Sequence, residues 1–239
     1  MECMTECGKG KIVCKEWKYL ECDAPTVCCT PGSITDAIEC PYEPHVFLFV
    51  IDDSGSMSTS DPSKLRYYGV IGFVEKTSIE DSTGLIIYSD SASITGSITN
   101  NKQEISSYLQ QVISQYPNGA TNIPYAMSLA ITSISDFYDD KVIILLTDGQ
   151  SNVGAFSPIS IKSKAEAYDI KVFTLGLGYD VNAEELQALA TNDGKYYFIE
   201  SAEEIAAIYT TIFNQTTYKS WKECDKKTKE WIQKLGECN

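Results

Sequence analysis

The sequence predicts an α/β fold: a doubly wound, mostly parallel central sheet with one antiparallel edge hairpin and helices on both faces. A small disulfide-rich N-terminal module precedes it. Three observations carry this prediction. The apolar runs Val46–Ile51 and Val142–Leu146 are unbroken, as in strands buried on both faces of a parallel sheet. Between and after them, apolar residues recur at i, i+3, i+4 and i+7, the core stripe of a helix. All 9 cysteines lie within residues 1–40 or after 223, so the middle of the chain must hold itself together by packing alone.

Taken in order, residues 1–40 lack regular periodicity and are rich in Cys, Gly, Pro and Thr, which reads as a stapled, loop-rich module. Val46–Ile51 is the first strand of the main domain. Asp61-Pro62 offers an N-cap followed by proline in the first turn, and Tyr67, Val70, Ile71 and Val74 supply the core stripe of that helix. Gly84–Tyr88 and Ala92–Ile98 are separated only by Ser89-Asp90-Ser91. That connection is too short for a crossover, so the two pair as an antiparallel edge hairpin. Ile105/Tyr108/Leu109/Val112, Met127/Ala130/Ile131/Ile134 and Ile205/Ile208/Tyr209/Ile212 repeat the helical spacing. Val142–Leu146, Lys171–Leu175 and Tyr196–Ile199 complete the sheet, with short helices near Pro158–Tyr168 and Ala183–Ala190. Such alternation gives a sheet with helices on both faces. The expected organisation is a cysteine-rich module over 1–44, the α/β domain over 45–217, and a helical tail over 218–239 carrying Cys224 and Cys238.

The chemistry gathers at the carboxyl ends of the strands, where open α/β sheets bind ligands. Val46–Ile51 runs into Asp52-Asp53-Ser54-Gly55-Ser56. The spacing Asp-x-Ser-x-Ser lets one carboxylate and two hydroxyls converge from a single tight loop. Val142–Leu146 runs into Thr147-Asp148-Gly149, and the loop Asn118–Asn122 offers the hydroxyl of Thr121. All-oxygen ligation of this kind suits a hard cation and suits zinc or copper poorly. Asp52, Ser54, Ser56, Thr121 and Asp148 together resemble the metal-ion-dependent adhesion site of von Willebrand factor type A domains and integrin I domains, in the family's order. The resemblance covers about residues 45 to 217.

It implies Mg²⁺ or Mn²⁺, with Ca²⁺ left open because Asp53 adds a neighbouring negative charge. It also implies a binding module and not an enzyme, whose metal accepts a Glu or Asp from a protein ligand. On this reading Asp52 lies on the rim of the domain, so Asp52→Ala would abolish metal-dependent binding and leave the fold. Asp53→Ala would matter much less. The two site carboxylates, repelling each other without metal, would raise each other's proton affinity.

Other chemistries fit less well. An apolar strand ending in Asp also opens haloacid dehalogenase-type phosphatases, but the position of their acid/base Asp is Ser54 here. The only histidine, His45, sits at the far end of the strand, roughly 20 Å from Asp52 at 3.3 Å per residue, so neither serine has a base beside it. No phosphate-binding glycine loop is present. A formal charge of −14 with a single arginine, Arg66, argues against nucleic acid or anionic membrane as partners. No apolar run approaches the roughly 20 residues that span a bilayer, so no membrane insertion is expected.

The cysteines point to an oxidising, extracellular or cell-surface setting. The start lacks a signal peptide, so the chain reads as a mature or excised ectodomain. Nine is odd, so full oxidation leaves one thiol free or intermolecular, and at least one bond from residues 1–40 to Cys224 or Cys238 is expected. Two alternatives remain open: a structural subunit or tip component of a surface filament or pilus, and an intracellular type A protein of a chelatase- or ATPase-like complex.

Overall fold

A computed structural model describes residues 43–153 and 157–217 in full, together with the backbone of strands within residues 2–39. Residues 44–213 form one compact unit, and the N-terminal strands belong to a second. The cysteine side chains, the disulfides expected of them and the 218–239 tail lie outside the described residues.

The main unit is built on a six-stranded sheet. Its strands are β5 (His45–Asp52), β6 (Ser82–Tyr88), β7 (Ala92–Ile94), β8 (Asp140–Thr147), β9 (Ile170–Leu177) and β10 (Tyr196–Ile199), in the order β10-β9-β8-β5-β6-β7. Every pair is parallel except β6 with β7. This is the mostly parallel, doubly wound α/β architecture with one antiparallel edge strand that the sequence predicts. β5 lies centrally, paired from Val46 to Asp52 with β6 and from His45 to Ile51 with β8.

Side chains alternate across the sheet with period two, and β5 shows why its run had to be wholly apolar. Phe47, Phe49 and Ile51 enter one core layer, while Val46, Leu48 and Val50 enter the other. The first layer is closed by α2 (Leu65–Val74), α3 (Lys102–Ile113) and a helix over 205–217, called α7 here. The second is closed by α4 (Ile123–Ile134), α5 (Pro158–Ala167) and α6 (Ala183–Leu189). The helical stripes read from the sequence fall inside: Met127, Ala130, Ile131 and Ile134 are all at 0% exposure.

Three elements differ from the sequence reading. β7 stops at Ile94 and does not reach Ile98, because Gly96 takes a left-handed φ of 81° and breaks the extended run. α2 begins at Leu65, not at Pro62. Asp61 still caps it, accepting from Leu65 N at 2.7 Å and Arg66 N at 3.0 Å, but a tight turn through Pro62 and a left-handed Lys64 intervene. A one-turn helix, α1 (Met57–Ser60), lies between β5 and α2. It is too short to leave a periodic signal.

The N-terminal strands β1 (Glu2–Thr5), β2 (Gly8–Lys15), β3 (Tyr19–Cys22) and β4 (Ile38–Glu39) form an antiparallel sheet in chain order. Thr5 faces Gly8 across the first hairpin. Pairing of this kind needs no apolar alternation along the strands, which is why the segment reads as loop from its composition.

Gly69 of α2 is required by packing against α7. A Cβ there would stand 2.8 Å from Tyr209 Cδ2 and 3.2 Å from Ile205 Cγ2. Tyr209 is pinned by Phe49, 5.4 Å away and edge-on, so it has little room to yield. Gly69→Ala is expected to lower stability by about 1–3 kcal/mol, the usual cost of overpacking, as read from urea unfolding. A stabilised variant would show that α7 retreats without penalty.

Candidate metal centre

Three loops meet at the carboxyl edge of the sheet. The first follows β5 and carries Asp52, Ser54 and Ser56; the second leads into α4 and carries Thr121; the third follows β8 and carries Asp148. Main-chain bonds hold them together. Gly55 N donates to Gly119 O at 3.1 Å, Asn118 N to Asp53 O at 2.9 Å, and Asn152 N to Thr121 O at 3.0 Å. Gly119 needs its lack of a side chain: its φ is 87°, and a Cβ would lie 2.4 Å from Asp90 Oδ2. Asp90 Oδ1 accepts from Ala120 N at 2.9 Å, so this carboxylate braces the Thr121 loop.

Four of the five expected residues are joined by side-chain geometry. Ser54 Oγ and Ser56 Oγ are 3.1 Å apart, and Ser56 Oγ donates to Asp148 Oδ1 at 2.7 Å. Asp52 Oδ1 turns back to accept from Ser54 N at 2.8 Å. Thr121 joins them through the loop: its Oγ1 lies 3.9 Å from where a Cβ on Gly149 would sit, and its N–H donates to Asn152 Oδ1 at 2.9 Å. Among the described residues the Thr121 hydroxyl has no hydrogen-bond partner, although the residue is only 3% exposed.

Asp52 departs from the rim position expected of it. It is fully buried, because the strand end is covered by Tyr88 and Thr147. Thr147 Oγ1 donates to Asp52 Oδ2 at 2.7 Å, and Tyr88 Oη to the same oxygen at 3.3 Å. Burial pushes the Asp52 carboxyl up to about 6, the bonds from Ser54 and Thr147 hold it back, and Asp148 adds a smaller upward push. Desolvation therefore leads, and the mutual repulsion expected of the two carboxylates is the minor part. Tyr88 is likewise raised well above its usual value by burial and then by Asp52, so it stays a donor. Every hydrogen-bond partner of this buried carboxylate is neutral.

Asp53 also differs from expectation. It does not add free negative charge to the site, because Arg66 Nη2 meets its Oδ1 at 2.6 Å and Tyr67 Oη donates to the same atom at 2.9 Å. His45 is buried at the opposite end of β5 beside Asp81, with its N–H donated to Asp81 Oδ1 at 2.9 Å, so no imidazole stands near Ser54 or Ser56.

Sequence reasoning missed several supporting residues. Ser60 Oγ donates to Asp148 Oδ2 at 2.5 Å. Because α1 makes one helical turn, Ser60 stands above Ser56, and the two hydroxyls take one oxygen each of the same carboxylate. The i, i+4 spacing from Ser56 was the available signal. Thr147, just before Asp148, was visible as a strand-end hydroxyl. Asn152 and Asp90 left no signal in one sequence.

These donors suit a divalent hard cation. All five candidate ligands are oxygen, three of them neutral hydroxyls. One carboxylate, that of Asp52, is buried without any cation partner. Among the described residues no group of three His, Cys, Asp or Glu side chains is placed to hold a metal ion, so the hydroxyls are essential to any such site.

Comparison with known proteins gives a consistent picture. Bovine inter-alpha-trypsin inhibitor heavy chain H4 is 30% identical over 192 residues, covering 72% of this chain but 20% of that protein. The chain thus spans about a fifth of that relative's length. Among solved structures, mussel byssus proximal thread matrix protein 1, described with a zinc-occupied MIDAS motif, superposes with a TM-score of 0.65 at 21% identity, over 74% of this chain and 46% of that one. The PilB minor pilin of Streptococcus sanguinis gives 0.61 at 14% identity, over 76% and 63%. At these identities the structural likeness is one of fold. The model of the von Willebrand factor type A domain matches residues 47–211, and the chain belongs to that family.

Proposed function

We propose that this chain is an extracellular, divalent-cation-dependent protein-binding module, and not an enzyme. The cation would be held by Asp52, Ser54, Ser56, Thr121 and Asp148. The observation that carries this is the buried Asp52 carboxylate, whose partners are all neutral, facing a cluster of hydroxyls and one further carboxylate at the sheet edge. Mg²⁺ or Mn²⁺ fits a set with so few anionic ligands; Ca²⁺ prefers more. When bound, such a cation supplies an electrophilic centre that accepts a Glu or Asp carboxylate of a partner.

The protein's own groups prepare that event. Ser60 keeps hold of Asp148 when Ser56 is drawn towards a cation, and Thr147 and Tyr88 keep Asp52 in place. Exposed Tyr116 and Tyr125 bracket the Thr121 loop in sequence, and such side chains favour protein contacts around a central anchor. The cysteine-rich ends and the byssus relative support an extracellular setting.

Calorimetric titration of the whole chain with Mg²⁺ and Mn²⁺, in chelator-stripped buffer, tests the reading. One equivalent is expected to bind, and Thr121→Ala is expected to weaken binding by about 1–3 kcal/mol, the cost of a poorly satisfied position. Absence of binding in the wild type would overturn it.

A second reading, a subunit or tip of a surface filament, is favoured by the fold shared with a minor pilin and by the odd number of cysteines. Covalent ladders of native material on a non-reducing gel would support it.

A further inference from the structure

Asparagine or aspartate precedes glycine at Asn118-Gly119, Asp148-Gly149 and Asp193-Gly194. In such a pair the main-chain nitrogen of the glycine, shielded by no Cβ, can attack the carbonyl carbon of the preceding side chain. A hydrogen bond donated by that N–H opposes the attack, because it must break first. Gly149 N donates to Thr147 Oγ1 at 3.2 Å, and Gly194 N to Thr191 O at 3.0 Å. Asp148 is protected further, since Ser56 and Ser60 hold its two oxygens. Gly119 N donates to nothing among the described residues, and Asn118 and Gly119 are both exposed.

Asn118 also brings the better electrophile, a neutral amide in place of an ionised carboxylate. Its Nδ2 donates to Tyr116 O at 3.1 Å, an exposed bond that costs little to release. The main chain is held on either side, with Asn118 N on Asp53 O at 2.9 Å and Gly55 N on Gly119 O at 3.1 Å. Neither bond uses the reacting atoms, Gly119 N and Asn118 Cγ.

We infer that Asn118 is a self-modification site of the folded chain, which deamidates without an enzyme to aspartate or isoaspartate. Hydroxide takes the Gly119 N–H proton, and the nitrogen bonds to Asn118 Cγ. The Cγ–Nδ2 bond breaks, Nδ2 takes a proton from water and leaves as ammonia, and hydroxide is regenerated. One water then opens the resulting succinimide. Opening at Cγ gives aspartate, and opening at the main-chain carbonyl gives isoaspartate. The isoaspartate form runs the main chain through one more methylene, roughly 1.5 Å of extra length. The bonds of residues 118 and 119 to the loop after β5 then cannot both keep their register. Thr121, three residues from Asn118, moves with them. This last consequence rests on the metal reading above; the deamidation does not.

The test ages the whole folded chain at pH 8 and maps its peptides by mass, with isoaspartate detected by an isoaspartyl methyltransferase. A gain of about 1 Da is expected at Asn118 before any other asparagine, with Asp148 and Asp193 unchanged. Asn118→Gln should block it, because the longer side chain would have to close a larger ring. If Asn118 stays intact in the folded chain while the same chain in urea converts, the loop protects it and the inference is overturned. Isoaspartate arising first at Asp148 or Asp193 overturns it as well.

The consequence for the loop is read by Mg²⁺ calorimetry on the isoaspartate fraction of the aged chain and on Asn118→Asp, which has the same charge without the added methylene. The isoaspartate fraction should bind about tenfold more weakly than Asn118→Asp, as when one bond supporting the seat is lost. Equal affinities overturn the loop consequence. Fresh protein that binds no Mg²⁺ overturns the metal reading, and the mass at Asn118 then decides the modification on its own.

Discussion

Asp52→Asn is expected to abolish divalent-cation binding and yet to stabilise the metal-free domain at pH 7 by about 3 kcal/mol. The figure follows from a carboxyl raised from 3.8 to about 6 by burial. The folded state holds this proton more tightly than the unfolded chain does. Metal-free wild type is therefore relatively most stable below about pH 4, loses stability as pH rises towards 6, and carries the full cost above that.

An asparagine removes the charge and keeps the network. Its carbonyl still accepts from Ser54 N, and its amide donates to Thr147 Oγ1, which turns onto Gly149 O at 3.2 Å. Tyr88 Oη turns to Leu146 O at 3.4 Å. Urea unfolding in chelator from pH 4 to 7.5 should show the two proteins alike at the acid end and separated at neutrality. Saturating Mg²⁺ should reverse the order once it reaches about 1,000-fold over Kd, where it stabilises a binding protein by about 4.1 kcal/mol. A variant that binds Mg²⁺ normally would mean the site is elsewhere. A variant no more stable than wild type in chelator would mean that burial of Asp52 costs nothing.

Phe73→Ala should be the most damaging substitution in the core, at about 3–5 kcal/mol. Phe73 projects from α2 into a group of rings. It stands edge-on to Phe47 at 4.8 Å, Phe49 at 5.0 Å, Tyr209 at 6.5 Å and Phe213 at 5.3 Å. Removing it strips contacts from β5 and α7 together, and rings pinned by one another cannot collapse into the gap. The shift in urea midpoint measures this. A loss below about 1 kcal/mol would show that the cluster closes over the cavity.

What the sequence disclosed follows from the range of each signal. The central strand was legible because both its faces are buried, which forces Val46 to Ile51 to be apolar without interruption. Asp52, Ser54, Ser56 and Asp148 were legible because each follows such a strand within a few residues, and Thr121 because it opens a helix. The family match over 47–211 agrees with that pattern. The depth of Asp52 was hidden, since burial by Tyr88 and Thr147 depends on which strands become neighbours. The partnership of Arg66 with Asp53 spans only 13 residues, but it depends on a turn through Pro62 and Lys64 that the capping signal at Asp61 concealed. Ser60 was masked by the shortness of α1.

The stapled loops around the centre carry a consequence for timing. Gly55 N on Gly119 O, Asn118 N on Asp53 O and Asn152 N on Thr121 O tie three loops to one another through the main chain, and Ser56 and Ser60 hold both oxygens of Asp148 from within the protein. An incoming ion then meets a seat that needs little rebuilding, and hydroxyl protons need only turn aside. The slow event becomes the ion's own loss of water. Mg²⁺ sheds its hydration shell reluctantly, so it would enter slowly, while Mn²⁺ and Ca²⁺ would enter fast. Stopped-flow exchange would then track the chemistry of the ion, with the protein acting as a fixed frame on that clock.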